Sequence, residues 1–245
     1  MSVNVTEIFS SVQGEGLLAG CRQIFIRLYG CNLKCSYCDT FYPQKPLYCR
    51  LEETPGHRNY KLIPNPLQPE NAAAAAYTFD LSTHHSISLT GGEPLLHISF
   101  IRELVPLLKG TRRGIYLETN GTLPDELLKI IDLVDIVAMD FKLPSITGLP
   151  PFWEKHKEFL KIASSKNVYV KIVVGENTTY DEIEKTTELI SGIRNDLPLI
   201  MQPVSTNGNV GRISPVYLLS LQEQALKKLF DVRIIPQTHK IMRQL

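Results

Sequence analysis

Three cysteines lie close together near the start of the chain. Cys31, Cys35 and Cys38 form a C-x3-C-x2-C pattern on one short segment, and no fourth cysteine follows at ligand spacing. Three thiolates can hold three irons of a 4Fe–4S cluster and leave the fourth iron open to a substrate or cofactor. The pattern therefore predicts a cluster that takes part in chemistry and is more than a store of electrons.

A zinc site is the main alternative for these cysteines. Structural zinc takes four ligands, and only Cys49 and His57 lie close enough downstream to complete a local set. The spacing favours a cluster loop. A disulfide is less favoured, because the chain opens with no apolar signal segment and thiols stay reduced inside cells. We therefore expect a cytoplasmic protein in which Cys21 and Cys49 are ordinary thiols.

A second motif, Thr90-Gly91-Gly92-Glu93-Pro94, follows a predicted strand. Paired glycines at the end of a strand let a ligand approach the main chain, and the carbonyl groups exposed there suit an ammonium group. Glu93 adds a negative charge at the same place. An ordinary turn between a strand and a helix would also use two glycines. The motif is therefore informative mainly in combination with the cysteines.

The elements that must position these motifs alternate along the chain. Short β-branched runs predict strands at 24–29, 86–90, 115–119, 136–140, 168–173 and 199–202. Helical spacing occupies 100–108, 125–131, 151–163, 181–193 and 215–230. Such alternation predicts an α/β fold with a parallel sheet. About six strands favour a partial, open β/α barrel over a closed one, with an open doubly wound sheet as the alternative.

Residues 41–83 interrupt this alternation. The segment contains six prolines and then a run of five alanines. We predict an irregular loop followed by one helix over 70–79, because Pro69 and Glu70 suit the first turn of a helix. The loop is either a substrate lid or a surface excursion.

Composition limits the classes of function. The chain has 245 residues, 43% of them hydrophobic, which is enough for one sizeable core, so we expect a single domain over residues 1–245. A formal charge of +1 argues against nucleic acid as a partner. We also expect no membrane partner, because no apolar run is long enough to cross a bilayer.

The two motifs together resemble the radical S-adenosylmethionine (SAM) superfamily. The resemblance implies that the open iron binds the amino and carboxylate groups of SAM, and that one electron releases a 5′-deoxyadenosyl radical. The protein would then position one substrate hydrogen and exclude water. The resemblance places Tyr37 against the adenine and adds Cys38, Asp39, Gly92 and Glu93 as SAM contacts. Core packing is the alternative role for Tyr37.

A narrower resemblance covers nearly the whole chain. The opening over 7–16, with its S-x-Q-G-E-G pattern, and the closing Pro-Gln-Thr-His-Lys over 236–240 are similar to the 7-carboxy-7-deazaguanine synthase family. This resemblance implies a carbon–nitrogen lyase of queuosine and deazapurine biosynthesis. It would convert 6-carboxy-5,6,7,8-tetrahydropterin to 7-carboxy-7-deazaguanine with loss of ammonia. A glycyl-radical-enzyme activase would share the cysteine loop but not the opening, and a zinc-stabilised binding module is the other rival.

The pterin substrate requires a polar pocket. Its amide and amino edges suit the main chain and side chains of the opening, and its carboxylate requires a cation or a metal. Arg27, inside an apolar strand, can supply a fork of donors, although a structural carboxylate would be the alternative partner. The predicted substrate contacts are Val12, Gln13, Gly14, Glu15, Arg27 and Thr90.

The resemblance also implies a magnesium ion and further SAM contacts. Thr40 would ligate Mg²⁺ together with the substrate carboxylate, although Asp39 and Thr40 would also suit a turn or a helix cap. The family usually has Ser-Pro-Lys where this chain has Asp-Phe-Lys over 140–142, which keeps the lysine. The remaining SAM contacts are Asp140, Lys142, Gln202, Pro203, Val204 and Ser205. A flavodoxin- or ferredoxin-type electron donor and a homodimer are implied as well, whereas His239 receives no role.

Overall fold

A computed structural model describes residues 1–38, 44–205 and 212–242 of the chain. Its strands form one ten-stranded sheet in the order β10-β9-β8-β7-β6-β5-β2-β1-β3-β4. The strands are β1 (Val5–Val12), β2 (Arg22–Leu28), β3 (Tyr48–Glu52), β4 (Tyr60–Pro64), β5 (Ser86–Gly91), β6 (Ile115–Thr119), β7 (Ile136–Phe141), β8 (Asn167–Val174), β9 (Leu199–Pro203) and β10 (Val232–Ile234). Seven of them, β2 and β5 to β10, run parallel. The predicted α/β fold with a largely parallel sheet is confirmed.

Helices connect the parallel strands. They are α1 (Pro69–Ala76), α2 (Ile98–Leu104), α3 (Pro124–Leu128), α4 (Pro144–Thr147), α5 (Trp153–Ala163), α6 (Tyr180–Ser191), α7 (Pro215–Leu226) and α8 (Thr238–Ile241). The sequence predicted α1, α2, α3, α5, α6 and α7 but not the four-residue helices α4 and α8. Proline occupies the first turn of α1, α3 and α7, and a capping box that was not predicted, formed by Thr179 and Glu182, begins α6.

Residues 41–83 differ from the prediction. The irregular loop predicted there is wrong for residues 48–52 and 60–64, because β3 and β4 form an antiparallel hairpin that extends the sheet. Prolines do not prevent this pairing. Pro55 lies between the two strands. Pro64 ends β4, the edge strand, where no further strand requires the main-chain N–H donor that proline lacks. The helix predicted after the loop is confirmed as α1.

Two strands had no prediction. β1 is almost entirely buried although half of its residues are polar or charged, because β2 and β3 flank it on both sides. Its sequence shows neither strict alternation nor a continuous apolar run, which are the two patterns that predict strands. β10 has three residues, which is too short for any periodicity.

Buried aliphatic side chains pack the sheet against the helices. Most residues of β7, β8 and β9 are apolar, as expected when both faces of a parallel sheet are covered. Among the polar exceptions in the central strands, Ser86 and Ser88 are buried in the first half of β5. Another set of polar side chains lies at or near the carboxyl ends of β5 to β9. They face a cavity, which is where ligands bind in folds of this architecture.

Candidate active site

One cavity of about 420 Å³ brings the two motifs and the chain opening together. The predicted residues that line it are Val12, Gln13, Gly14, Glu15, Arg27, Cys31, Cys35, Tyr37, Cys38, Thr90, Gly92, Asp140, Lys142, Gln202, Val204 and Ser205. Glu93 and Pro203 are not among the lining residues. Asp39 and Thr40 lie outside the described residues.

The cysteine loop leaves the end of β2 and is anchored at two places. Ser36 donates from its main-chain N–H to the carbonyl of Thr147 (3.1 Å) and from its hydroxyl to the carbonyl of Ile146 (2.6 Å), at the end of α4. On the other side, the main-chain N–H of Glu93 donates to the carbonyl of Gly30 (2.8 Å). The start of the loop therefore lies directly against the Gly-Gly motif.

Gly92 is required by this close approach. A Cβ atom there would lie 2.1 Å from the carbonyl oxygen of Gly30 and 2.8 Å from Cβ of Cys31. The Gly-Gly motif therefore makes room for the start of the cysteine loop. The sequence alone had suggested a different role, which was to let a ligand approach the main chain.

The three thiols have the chemistry that a cluster needs. Cys31 and Cys38 are exposed and Cys35 is partly buried. Burial raises the pKa of Cys31 and raises the pKa of Cys35 to about 11, with the nearby Lys142 ammonium opposing both shifts. Iron would reverse this preference for the thiol form, since a coordinating thiol loses its proton. No group of three His, Cys, Asp or Glu side chains within the described ranges is placed to hold a single metal ion.

Lys142 joins Tyr37 to Asp140 at one end of the cavity. Its ammonium donates to Tyr37 Oη (3.1 Å), lies 5.3 Å from the centre of the Tyr37 ring and pairs with Asp140 Oδ2 (2.9 Å). Burial alone would lower the pKa of Lys142, but the Asp140 carboxylate outweighs it and the pKa rises. Lys142 is therefore held as a cation beside the cysteine loop.

Two buried acceptors near this end lack a partner among the described residues. They are Oδ1 of Asp140 and Oε1 of Gln202, and both residues line the cavity. Buried oxygens normally accept a hydrogen bond. Both oxygens are therefore available to a ligand that carries hydroxyl or amino groups.

Glu93 points into the protein and accepts hydrogen bonds from neighbouring segments. Its buried carboxylate accepts hydrogen bonds from the main-chain N–H of Asn120 (2.8 Å), the Thr119 hydroxyl (2.9 Å) and the main-chain N–H of Leu95 (3.1 Å). Burial raises the pKa of Glu93 to about 7, although these hydrogen bonds oppose the shift. Its side chain ties the end of β5 to the end of β6.

Glu118 joins two other residues of the cavity wall. One carboxylate oxygen accepts from Gln13 Nε2 (2.6 Å), and the other accepts from the Thr90 hydroxyl (2.5 Å). Sequence reasoning missed Glu118. The signal was present, because a glutamate interrupts the apolar strand β6, just as Arg27 interrupts β2.

Glu15 is held by two residues that sequence reasoning also missed. Lys171 donates to Oε2, and Gln237 donates from Nε2 to Oε1 (2.5 Å). Burial alone would raise the pKa of Glu15, but the charge and hydrogen bond of Lys171 outweigh it and lower the pKa to about 2. Glu15 is therefore a carboxylate throughout the neutral range.

The C-terminal tail covers the chain opening. The main-chain N–H of Thr238 donates to the carbonyl of Gly14 (2.8 Å). A Cβ atom on Gly14 would lie 1.9 Å from Nδ1 of His239, so only glycine leaves room for the imidazole. His239 thereby lines the cavity from the tail.

Arg27 has the carboxylate partner that the sequence left as an alternative. Its Nε lies 2.7 Å from Oε1 of buried Glu7, and a guanidinium nitrogen of Arg50 lies 2.6 Å from Oε2 of Glu7. Two guanidinium groups therefore share this carboxylate. All three side chains line the cavity, where an anionic ligand would meet more positive than negative charge.

Comparison with known proteins identifies the family. The radical SAM superfamily matches residues 25–190. The 7-carboxy-7-deazaguanine synthase of Geobacter sulfurreducens is 47% identical over 98% of this chain and 96% of its own length. The chain belongs to the 7-carboxy-7-deazaguanine synthase family. The enzyme of the same name from Methanothermobacter thermautotrophicus is 34% identical over 99% of this chain and 98% of its own length.

Solved structures agree on the fold of this family member. QueE from Escherichia coli has a TM-score of 0.61 at 23% identity and covers 98% of this chain and 95% of its own. Family membership makes this protein a radical SAM enzyme of the carbon–nitrogen lyase class, with a 4Fe–4S cluster and SAM as cofactors. The described helices include none that is long and apolar enough to span a bilayer.

Proposed function

We propose that this protein converts 6-carboxy-5,6,7,8-tetrahydropterin to 7-carboxy-7-deazaguanine with loss of ammonia, in the route to queuosine. One observation carries the proposal. The polar side chains of the chain opening, Gln13 and Glu15, line the same cavity as the three cysteines. A pterin with amino and amide edges can therefore lie within reach of a cofactor at the cysteine loop.

Cys31, Cys35 and Cys38 would hold the cluster. When bound, the cluster and SAM supply a carbon-centred radical that removes one hydrogen atom from the substrate. The protein's own residues contribute placement, exclusion of water and a fixed charge pattern.

The SAM contacts would divide between side chains and main chain. Oδ1 of Asp140 and Oε1 of Gln202 would accept hydrogen bonds from the ribose hydroxyls, since both are buried acceptors without a described partner. The Tyr37 ring, fixed by Lys142, would pack on the adenine. The contacts proposed through the main chain or by apolar packing are Cys38, Asp39, Gly92, Glu93, Pro203, Val204 and Ser205.

The pterin would bind between Glu118 and Arg27. Glu118 and Glu15 would accept hydrogen bonds from the amino and amide N–H groups, with Gln13 as donor and acceptor. Arg27 would bind the substrate carboxylate while it keeps its bond to Glu7. Val12, Gly14 and Thr90 would complete the walls of the pocket.

Mg²⁺ is proposed as a second ligand of the substrate carboxylate, bound through the Thr40 hydroxyl. Mg²⁺ keeps several waters, so one protein oxygen and the substrate suffice to hold it. We expect Mg²⁺ to stimulate turnover, Thr40→Ser to retain most of the stimulation and Thr40→Val to lose it. Cluster content should be equal in both variants. A Thr40→Val protein that responds to Mg²⁺ like the parent would place the ion elsewhere.

We further propose a single domain over residues 1–245, because all described strands join one sheet. A cytoplasmic location suits the reduced thiols that a cluster needs. A flavodoxin- or ferredoxin-type protein is the proposed electron donor. A homodimer is proposed as well, since Leu47 and Leu62, on the hairpin at the sheet edge, are 79% and 57% exposed and a second copy would cover them.

The test is turnover of the pterin. The protein is reconstituted with iron and sulfide under anaerobic conditions and incubated with SAM, dithionite and 6-carboxy-5,6,7,8-tetrahydropterin. Mass spectrometry should detect 7-carboxy-7-deazaguanine and 5′-deoxyadenosine, and Cys35→Ala should produce neither. SAM cleavage without a deazaguanine product, together with radical formation on a glycine-containing peptide, would indicate an activase instead.

A further inference from the structure

Lys171 lies between two carboxylates that both line the cavity. It sits on β8 with 13% of its side chain exposed. Its ammonium pairs with Oε2 of Glu15 and, at 3.0 Å, with Oδ2 of Asp140. Glu15 lies at the pterin end and Asp140 at the SAM end, an assignment that rests on the proposed function.

We propose that Lys171 is a positioning residue that fixes both carboxylates at once, so that pterin binding and SAM binding depend on the same ammonium group. A lysine suits this place because its ammonium group carries three donors. These can point at two separate carboxylates, whereas the donors of an arginine are held in one plane. Lys171 itself touches neither reacting group in the proposed arrangement.

The two carboxylates depend on Lys171 to different degrees. Asp140 keeps a second cation, Lys142, at 2.9 Å. Among the residues that the structure describes, Glu15 keeps the neutral donor Gln237 and the more distant His239. Loss of Lys171 should therefore weaken both pterin binding and SAM binding, and it should weaken pterin binding more.

The pH dependence of pterin binding separates this role from simple support of the fold. The groups that face Glu15 are Lys171 on β8, His239 and Gln237 on the tail, and the hydroxyls of Tyr116 and Tyr169. Lys171 makes the largest contribution among those that keep the pKa of Glu15 low against burial. Without Lys171, burial should raise this pKa, so that falling pH protonates the carboxyl and weakens its hydrogen bonds to the pterin.

The experiment uses reconstituted parent protein and the variants Lys171→Met, Lys171→Arg and Lys142→Met. Anaerobic equilibrium dialysis measures the dissociation constant of SAM alone and that of 6-carboxypterin, an oxidised and unreactive probe, from pH 6 to 9. In Lys171→Met we expect both constants to rise about tenfold or more, because an uncompensated buried charge is costly. Pterin binding should also weaken further as pH falls, whereas the parent's should stay nearly flat. Lys171→Arg should restore both constants to within about threefold of the parent.

Lys142→Met is the matched comparison. It removes a cation from Asp140 and Tyr37 but not from Glu15, so SAM binding should weaken while the 6-carboxypterin constant stays within about twofold of the parent. Iron content and the thermal midpoint report whether each variant is folded.

One result would disprove the role of Lys171 alone, and another would disprove the proposed function. Unchanged SAM affinity in a folded Lys171→Met protein, with parent protein that binds 6-carboxypterin, would disprove the shared dependence and leave the proposed function intact. Parent protein that binds SAM but no pterin would instead disprove the proposed function, and the shared role of Lys171 with it.

Discussion

Charged side chains interrupt three strands of the sheet and line the cavity. Arg27 interrupts β2, Glu118 interrupts β6 and Lys171 interrupts β8. Burying a charge is costly unless it is paired, and each of these three has a partner inside the cavity. A buried charged side chain that costs stability can therefore also offer a ligand a polar group in a fixed position.

The cysteine triad carries the first prediction. Cys35→Ala should lose most of the bound iron and all SAM cleavage, because two thiolates cannot hold the cluster that three would bind. Iron and sulfide analysis and the visible absorption spectrum measure the loss. Cys21→Ala is the control and should keep parent levels, since Cys21 lies outside the loop. Normal iron content and SAM cleavage in Cys35→Ala would rule out the triad as the cluster site.

Arg27 carries the second prediction. Arg27→Lys should keep a cation beside Glu7 but lose the fork of donors, so KM for the pterin should rise about tenfold. SAM cleavage without substrate should change little. The exposed Arg194→Lys is the control for the same substitution at a site distant from the cavity. Equal damage to both activities would mean that Arg27 supports the fold or the SAM end.

At the scale of elements, the loops that follow neighbouring strands hold one another in place. The cysteine loop after β2 rests on the Gly-Gly motif after β5 and on the end of α4. Glu93 then joins the end of β5 to the end of β6. These contacts align neighbouring loops, so that one cluster site and one cavity can form.

A prediction on Gly92 tests this alignment. Gly92→Ala should displace the start of the cysteine loop, since the added Cβ would lie 2.1 Å from the carbonyl oxygen of Gly30. We expect iron content to fall to less than about half and the free energy of unfolding to drop by about 1–3 kcal/mol. Gly20→Ala is the control, because a Cβ there meets nothing within 4 Å and only the positive φ of 89° is strained. A Gly92→Ala protein with full cluster content would show that the loop tolerates the shift.

At the scale of the whole molecule, the charges are nearly balanced but unevenly placed. The formal charge is +1 over 245 residues, yet the cavity contains an alternating series formed by Glu15, Lys171, Asp140 and Lys142. Ion pairs on the surface contribute little to stability, whereas partly buried pairs such as these depend strongly on protonation.

The pH dependence of stability follows from Glu15. Its pKa is about 2 in the folded protein against 4.5 for the free group, so its stabilising contribution is present above pH 4.5 and is lost as pH falls towards 2. A quarter of its side chain is exposed, which reduces the expected contribution to about 1–2 kcal/mol. Glu15→Gln should therefore be less stable than the parent at pH 7, and the gap should narrow below pH 4.5.

Urea unfolding of the cluster-free protein between pH 3 and 7 measures that gap. The control is Glu103→Gln, since this carboxylate is half exposed and its ion pair within the described part of the chain is with the amino group of Met1. A gap that is constant across the pH range would mean that the ionisation of Glu15 does not contribute to folding.

Local patterns were sufficient for much of the fold and for the choice of the proposed cluster ligands. Cluster ligands on one loop are set by spacing along the chain, so Cys31, Cys35 and Cys38 are visible without any tertiary information. Local hydrophobic periodicity likewise predicts the alternation of strands and helices, and this alternation predicts the parallel sheet. Proline near the first turn indicated where helices such as α1 and α7 begin.

Tertiary structure alone decided which distant residues meet. β1 is buried because β2 and β3 flank it, and its own sequence carries no strand pattern. Gln237 reaches Glu15 across 222 positions, and Lys171 reaches it across 156. Such contacts depend on how the sheet brings the two ends of the chain together, and no local pattern encodes the partner of a buried charge. The cysteine loop was therefore readable from spacing, whereas the pairing of Glu15, Lys171 and Asp140 required the folded protein.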